Sequence, residues 1–387
     1  VARYLDAEEK ACISLSSPNP APTKLEQVEH SISSGKSFDF RKLLALAGNN
    51  GVLPFLYRNL AGSSAIPPEI LESLRHAYLA TARSNVLNAE ETLRIIRSLR
   101  MAGIDAIPLK GSIASETLFG DPGLYLATDI DILVRLADLG EAKDVLLKDG
   151  YECDEAGERD LLSSHYHLNF HRGGNHVELH WNLAKRYLDV PPAFWWEDTR
   201  TAEYNGRSLT TLSPERYLLY AIFRLFDHGF TPLKFLVFIS ALLDACGHEI
   251  NYPKLIFLAG KLKMKRLTLF TLRILNEIYG SVPPEFEKLQ KMTGYEVLRK
   301  RILKGLVDSE NRIHLNMVLY MFLLDSPAEV VRILVRRVFP SVGEIRLRYS
   351  LSGRPGKIVL YYLLNPMLLA TRKQKAVNRW TGKRQED

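Results

Sequence analysis

Cysteine is scarce in this chain. The three present, Cys12, Cys153 and Cys246, are odd in number and widely spaced, and none forms a CxxC pair. A disulfide framework is therefore excluded as an organising device, and a reducing cytoplasm with inert thiols is the expected setting. Long apolar runs are missing too. No stretch reaches the roughly 18 uncharged residues of a membrane span, and the nearest approach, IVLYYLLNPMLLA, is short and broken at Asn365-Pro366. The amino-terminal VARYLDAEEKACISL carries charges where a secretory signal has an apolar centre. There is no repeat of fixed period, no GxxxxGK[ST] phosphate loop, and no RNP or Cys/His finger pattern.

What remains is an ordinary globular composition, 46% hydrophobic and 25% charged, with a net charge of +7 spread along 387 residues. That length admits two or three domains without metal or disulfide staples. The closing RKQKAVNRWTGKRQ concentrates part of the excess charge behind the apolar segment. A solvated tail is its ordinary reading, and peripheral contact with an anionic membrane surface is the functional one.

Periodicity divides the chain into an amino-terminal helical region (1–103), an α/β core (104–205), a second helical region (206–340) and a basic tail (341–387). FDFRKLLALAGNN and the long PPEILESL…RSLRMAG have helical spacing with Gly or Asn stops. From Ile104 the period changes. IDAIPLK and DIDILV read as strands, SIASETLFG as a short helix, and LADLGEAKDVLLKDG as an amphipathic helix. HYHLNFHRGGNHVELHW reads as a hairpin whose Leu168, Phe170, Val177, Leu179 and Trp181 face a core. LSPERYLLYAIFRLF then opens the second helical region, with Pro214 in the first turn. The expected fold class is α+β, a small mixed sheet flanked by helical regions on both sides.

The chemistry is expected in PLKGSIASETLFGDPGLYLATDIDILV. Period-two alternation puts Asp129 and Asp131 on one face of a strand, where like charge raises their pKa values unless a cation intervenes. A divalent metal resolves the conflict, and Mg²⁺ (or Mn²⁺) suits a pair of carboxylates completed by substrate phosphates. Glu178, on the polar face of the hairpin, is the expected third ligand. Lys110, Gly111 and Ser112 fall at a strand-to-helix turn that suits a triphosphate: a glycine for close approach, helix N–H groups, a hydroxyl and a cation. His180 is expected to position Glu178 or to contact phosphate or acceptor.

LKGSIASETLFGDPGLYLATDIDILV, followed by HVELHWNL and more loosely by LSPERYLLYAIFRLFDHGFTPLKFLVFISALL, resembles an uncharacterised nucleotidyltransferase family (NTP_transf_5) of the DNA polymerase β-like superfamily. The resemblance implies metal-dependent transfer of a nucleoside monophosphate from an NTP, with ATP expected, to an acceptor of unknown kind. It places the family's motif on Gly111, Ser112, Asp129, Asp131 and Glu178. Two positions depart from it: Tyr125 stands where relatives have arginine, and Phe238 where they tend to have aspartate. A transferase fold reduced to a binding module is the alternative these departures raise. A zinc hydrolase using His176, Glu178 and His180 is another. Lys185-Arg186, Arg172, Asp227-His228, Trp195 and Trp196 are further candidates for the cleft, each with an equally good surface or packing role.

Overall fold

The computed structural model describes residues 5–33, 38–154, 166–184, 190–281, 294–307, 321–340, 342, 345 and 355–370. His165, Lys185, Arg186 and the basic tail beyond Ala370 lie outside them.

Five helices open the chain: α1 (Ala7–Leu15), α2 (Pro22–Ser33), α3 (Phe40–Asn49), α4 (Leu53–Leu60) and the long α5 (Pro68–Met101). Asp6 caps α1 through a reciprocal pair of hydrogen bonds with Glu9, and Asp39 caps α3. The α/β segment follows as β1 (Ala106–Pro108), α6 (Ser112–Phe119), β2 (Ile130–Val134), α7 (Leu139–Lys148), β3 (Glu152–Cys153), β4 (His167–Arg172) and β5 (Asn175–His180). A separate hairpin, β6 (Arg200–Tyr204) and β7 (Arg207–Thr211), leads into α8 (Pro214–Asp227), α9 (Lys234–Cys246), α10 (Tyr252–Lys261) and α11 (Lys265–Tyr279). The last described helices are α12 (Tyr295–Val307), α13 (Pro327–Val338) and α14 (Pro355–Ala370). The architecture is α+β, with the small sheet expected from periodicity.

Strand order in the main sheet is β1-β2-β5-β4-β3. Strands β2 and β5 run parallel at its centre, and the outer neighbours pair antiparallel. The register sets Asp131 directly beside Glu178 and His167 opposite His180. Alternation then sorts the two faces. Ile130, Ile132 and Val134 pack with Phe170, Val177 and Leu179 against α5 and α7. The opposite face carries Asp131 and Glu178, yet only its edge meets solvent. Leu133 and Ile107 on that side join the larger core, in which α8 to α11 pack together with α1, α3 and α4. The polar strip of the sheet is therefore roofed by helices, a setting that raises the electrostatic stakes of every charge on it.

Trp181 is buried in the core beneath the sheet, as its alternation implies. The hairpin of β6 and β7 turns at Asn205-Gly206. No helix among the described residues is long and apolar enough to cross a membrane. IVLYYLLNPMLLA forms most of α14, which leaves Val359, Leu360 and Leu363 exposed. The cysteines are free thiols, and burial pushes Cys12 up to about 12.

Candidate active site

The turn between β1 and α6 brings the phosphate-cradle candidates to the edge of β2. Gly111 takes φ +98°, a backbone region open in practice to glycine, and a Cβ there would meet the Asp129 carbonyl at 3.4 Å. The glycine thus permits both the turn and the close approach of this loop to the aspartate strand. Ser112 begins α6 and is buried. Leu109 N–H donates to the Asp131 carbonyl at 3.1 Å, and the Tyr217 hydroxyl of α8 donates to the Leu109 carbonyl.

The segment ahead of Asp129 is held from α5. Buried Asn85 donates to the carbonyls of Pro122 (2.6 Å) and Tyr125 (2.7 Å) and accepts from Ala127 N–H (3.3 Å). Ser115 of α6 accepts from Tyr125 N–H at 3.1 Å. The approach to the DxD strand is therefore fixed by buried amide and hydroxyl groups, not by its own sequence alone.

Asp129, Asp131 and Glu178 converge: one carboxylate oxygen from each lies within 4.8 Å of the others. Lys110 stands between the two aspartates, its Nζ 3.1 Å from Asp129 Oδ2 and 2.6 Å from Asp131 Oδ2. His180 Nε2 sits 3.1 Å from Asp131 Oδ1 and 3.1 Å from Glu178 Oε2. Asp131 and His180 are shut off from solvent, with side chains 0% and 2% exposed, whereas Asp129 and Glu178 keep 18% and 17%. The cluster is sealed on one side and open on the other.

These contacts keep the acids ionised. Burial is the largest single influence and pulls each carboxyl upward, but together Lys110 and Thr128 at Asp129, Lys110, His180 and Arg224 at Asp131, and His180 and His167 at Glu178 bring it down. All three end below the ordinary carboxylate range. Reciprocally, burial opposes charge on Lys110 and His180, while Asp131 on the first and Asp131 with Glu178 on the second raise both above their usual values. Lys110 and His180 thus offset part of the charge that the paired acids place on one another.

Further cations surround the cluster from the second helical region. Arg224 of α8 has its pKa raised despite burial, chiefly by Tyr220 and then by Asp131. Lys234 of α9 donates to the Leu126 carbonyl at 3.3 Å and lies 5.7 Å from the centre of the Tyr125 ring. Burial and then Lys110 lower its pKa. Neither residue sits in a motif, and the spacing of Tyr217, Tyr220 and Arg224 along one helix face is the one sequence signal they leave.

The two unusual positions meet each other. Tyr125 and Phe238 rings lie 5.3 Å apart, and the pair continues to Phe119 and Tyr217 at 5.9 and 5.8 Å. They form one interior aromatic cluster beside the acids.

The histidine set differs from expectation. His167, not His176, joins Glu178 and His180 with donor atoms within 4.8 Å. His167 faces His180 directly across the ladder, while His176 pairs with His171 at the far end of the hairpin, ring centres 4.7 Å apart. Arg172 belongs to a remote ion pair with Glu91 at 2.6 Å. Trp195 is buried with its indole N–H on Asn182, Trp196 lies beneath Arg135, and exposed His228 rests on Phe235.

A family model described as uncharacterised nucleotidyltransferase matches residues 36–280. No match to a curated protein is found. Among solved structures, the solution structure of the antibiotic-resistance factor ANT(2'')-Ia is similar over 45% of this chain and 91% of that one, at 14% identity and a TM-score of 0.33.

Proposed function

The chain belongs to the uncharacterised nucleotidyltransferase family, and from that footing we propose that it moves a nucleoside monophosphate from an NTP, ATP in the first instance, to an acceptor hydroxyl or amine. The observation that carries this reading is the convergence of Asp129, Asp131 and Glu178 within 4.8 Å, beside the Gly111 turn.

The donor set fits a hard divalent cation. It offers carboxylate oxygens from neighbouring strands, one acid fully buried and the others opening to one side, which is the arrangement that suits Mg²⁺ or Mn²⁺ with phosphate completing the shell. Asp129, Asp131 and Glu178 would hold the ion, and when bound it supplies positive charge to phosphate oxygens and acidifies an attacking hydroxyl. The chain's own groups do the rest. Gly111 and the first turn of α6 present N–H groups to the triphosphate, with Ser112 beside them. Lys110 is the ammonium nearest the incoming phosphates, and His180 holds Asp131 and Glu178 in place. The acceptor oxygen or nitrogen bonds to the α-phosphorus, the bond to the bridging oxygen breaks, pyrophosphate leaves, and the acceptor proton passes to water on the open side.

A catalytically reduced binding module is the weaker reading, because Tyr125 and Phe238 pack on each other and leave the three acids untouched. The zinc reading has its own observation in the His167, Glu178 and His180 set, but His180 Nε2 is already engaged by two carboxylates. A cytoplasmic setting with peripheral membrane contact through the tail stays part of the proposal, supported by the free thiols, the exposed apolar residues of α14 and the basic composition after it. The division at residues 103, 205 and 340 is likewise proposed.

Calorimetry of the whole chain with each NTP, with and without Mg²⁺ or Mn²⁺, tests the core of this reading. Binding should require the metal and disappear in Asp129→Asn/Asp131→Asn; unchanged binding by that variant ends the proposal. Zinc bound stoichiometrically and lost in His167→Ala would favour the hydrolase instead. A mass increase of one nucleotide on a candidate acceptor identifies the product.

A further inference from the structure

Helix α8 carries Tyr217, Tyr220 and Arg224 three and four residues apart, so the three share one face. The Tyr217 hydroxyl bonds the Leu109 carbonyl, which fixes that face against the residue preceding Lys110. One turn on, Tyr220 is 2% exposed and its ring stacks near that of Tyr217, centres 6.3 Å apart. Among the described residues its hydroxyl has no hydrogen-bond partner, and the same holds for the buried Arg224 Nε.

Buried polar groups of this kind are normally satisfied, and a donor left without an acceptor is costly. The nearby carboxylates do not satisfy them: among the described residues Asp131 Oδ2 and Glu178 Oε2 accept no hydrogen bond either, and meet only the charges of Lys110 and His180. The negative field of Asp131 and Glu178 nevertheless reaches both α8 groups. A guanidinium kept charged beside acids, with a tyrosine hydroxyl one turn away and an ammonium across from it, is a donor set for an oxyanion carrying several oxygens.

We propose that Tyr220 and Arg224 form, with Lys110, the subsite for the polyphosphate tail: the β- and γ-phosphates of the NTP and the pyrophosphate it becomes. The proposal rests on the transferase reading for the identity of its ligand. Tyr220 and Arg224, however, lie outside the carboxylate cluster and outside the glycine turn. The phosphate grip would then be shared between the sheet and the second helical region, with α8 supplying the cation opposite α6.

The test is calorimetric titration of the full chain with inorganic tripolyphosphate and with ATP, each with Mg²⁺. Wild type, Tyr220→Phe, Arg224→Lys, Arg224→Ala and Asp129→Asn/Asp131→Asn are compared, and folding of each is checked by thermal melting. Arg224→Ala should weaken tripolyphosphate by about 10- to 100-fold, with loss of a charge and its hydrogen bonds, and Tyr220→Phe by roughly 10-fold, with loss of one hydrogen bond to a charged oxygen. Arg224→Lys, which keeps charge but not the fork, should fall between wild type and Arg224→Ala, and it keeps the test valid if the alanine variant fails to fold. Failure of wild type to bind tripolyphosphate, or binding as tight as wild type by both Arg224→Lys and Tyr220→Phe, overturns the subsite. If metal-dependent ATP binding survives in those same variants, only the subsite is lost and the transferase reading stands. If tripolyphosphate depends on Arg224 while the aspartate double variant binds Mg²⁺-ATP like wild type, the subsite stands and the transferase reading falls.

Discussion

Lys110 bridges Asp129 and Asp131 from inside the fold, and this gives a consequence that bulk activity would miss. Removing one partner of a buried ion pair leaves an uncompensated charge and costs about 3–5 kcal/mol. Lys110→Met should therefore lower metal-free stability by an amount in that range, since Asp131 has no solvent to turn to. Divalent cations should then raise the melting temperature of Lys110→Met more than that of wild type, because the ion supplies the charge the lysine gave. Equal melting of the two proteins without metal would contradict the bridging role. His180→Gln addresses the other side of Asp131: with the imidazole gone, Mn²⁺ affinity measured by electron paramagnetic resonance should drop about 10- to 100-fold. Much of this was legible in advance. Alternation alone puts Asp129 and Asp131 on one face, and a hairpin with a Gly-Gly turn puts Glu178 on its polar side. Their meeting is implied by the resemblance to the family's motif, not by periodicity, because it depends on β2 pairing parallel with β5 at a register no local pattern encodes. Arg224 and Tyr220 escaped for the opposite reason. RYLLYAIFRLF reads as an apolar helix with occasional charges, and only the roof it forms over the sheet reveals what those residues face.

The elements that position these residues are clamped by polar contacts which sequence periodicity does not register. Helix α5 reads simply as long and amphipathic, yet it holds the Asp121–Ala127 segment through Asn85 and the hairpin through Glu91. Glu91 accepts from Arg94 at 3.0 Å and from Arg172 of β4 at 2.6 Å, with Tyr151 completing the set. Burial works to raise its pKa, but the bonds from Arg94 and Tyr151, with the charges of Arg94 and Arg172, bring it below the ordinary 4.5. A depressed folded-state value means the stabilisation is complete above the unfolded pKa and is lost as pH falls through the folded one. Glu91→Gln should hence cost about 1–3 kcal/mol in urea unfolding at pH 7, and the gap from wild type should close in strongly acidic solution. A gap that persists unchanged there would assign the effect to packing instead. The glycine corner makes a second case. Gly111→Ala forces a side chain into a positive-φ position and against the Asp129 carbonyl at 3.4 Å. The cost should be about 1–3 kcal/mol from the positive φ, and metal binding should weaken with it because the strained turn carries Lys110 and Ser112 beside the acids. Here the sequence reading was sound: a glycine between a strand and a helix is a turn whose conformation follows from the residue type itself.

The family match spans residues 36–280, but the core does not stop at those limits. Helix α1 buries Ala11, Cys12, Ile13 and Leu15 in the same apolar cluster as α8 to α11, and Ser16 meets the Tyr279 hydroxyl at 2.8 Å. At the other end, Tyr295, Leu298 and Ile302 of α12 join that cluster. Periodicity assigns the amino-terminal and second helical regions to separate zones because it sees only neighbours along the chain. Burial unites them, since helices with one apolar face each need a common partner. The site inherits this dependence. The acids are on the sheet, but Tyr217, Arg224 and Lys234 come from helices that share one apolar core with α1, α3 and α4. A fragment of residues 36–280 should therefore be far less stable than the whole chain. Burying a large aliphatic side chain is worth about 1.5–3 kcal/mol, so loss of Ile13 and Leu15 alone accounts for roughly 3–6 kcal/mol. Since the groups displaced share one apolar core with α8, nucleotide affinity should decline along with the urea midpoint. Adding back a peptide of residues 5–33 should restore part of both if α1 acts by packing. A fragment that unfolds at the same urea concentration as the full chain would instead place the stabilising core wholly within the matched segment, and the helical roof over the acids would then owe nothing to α1.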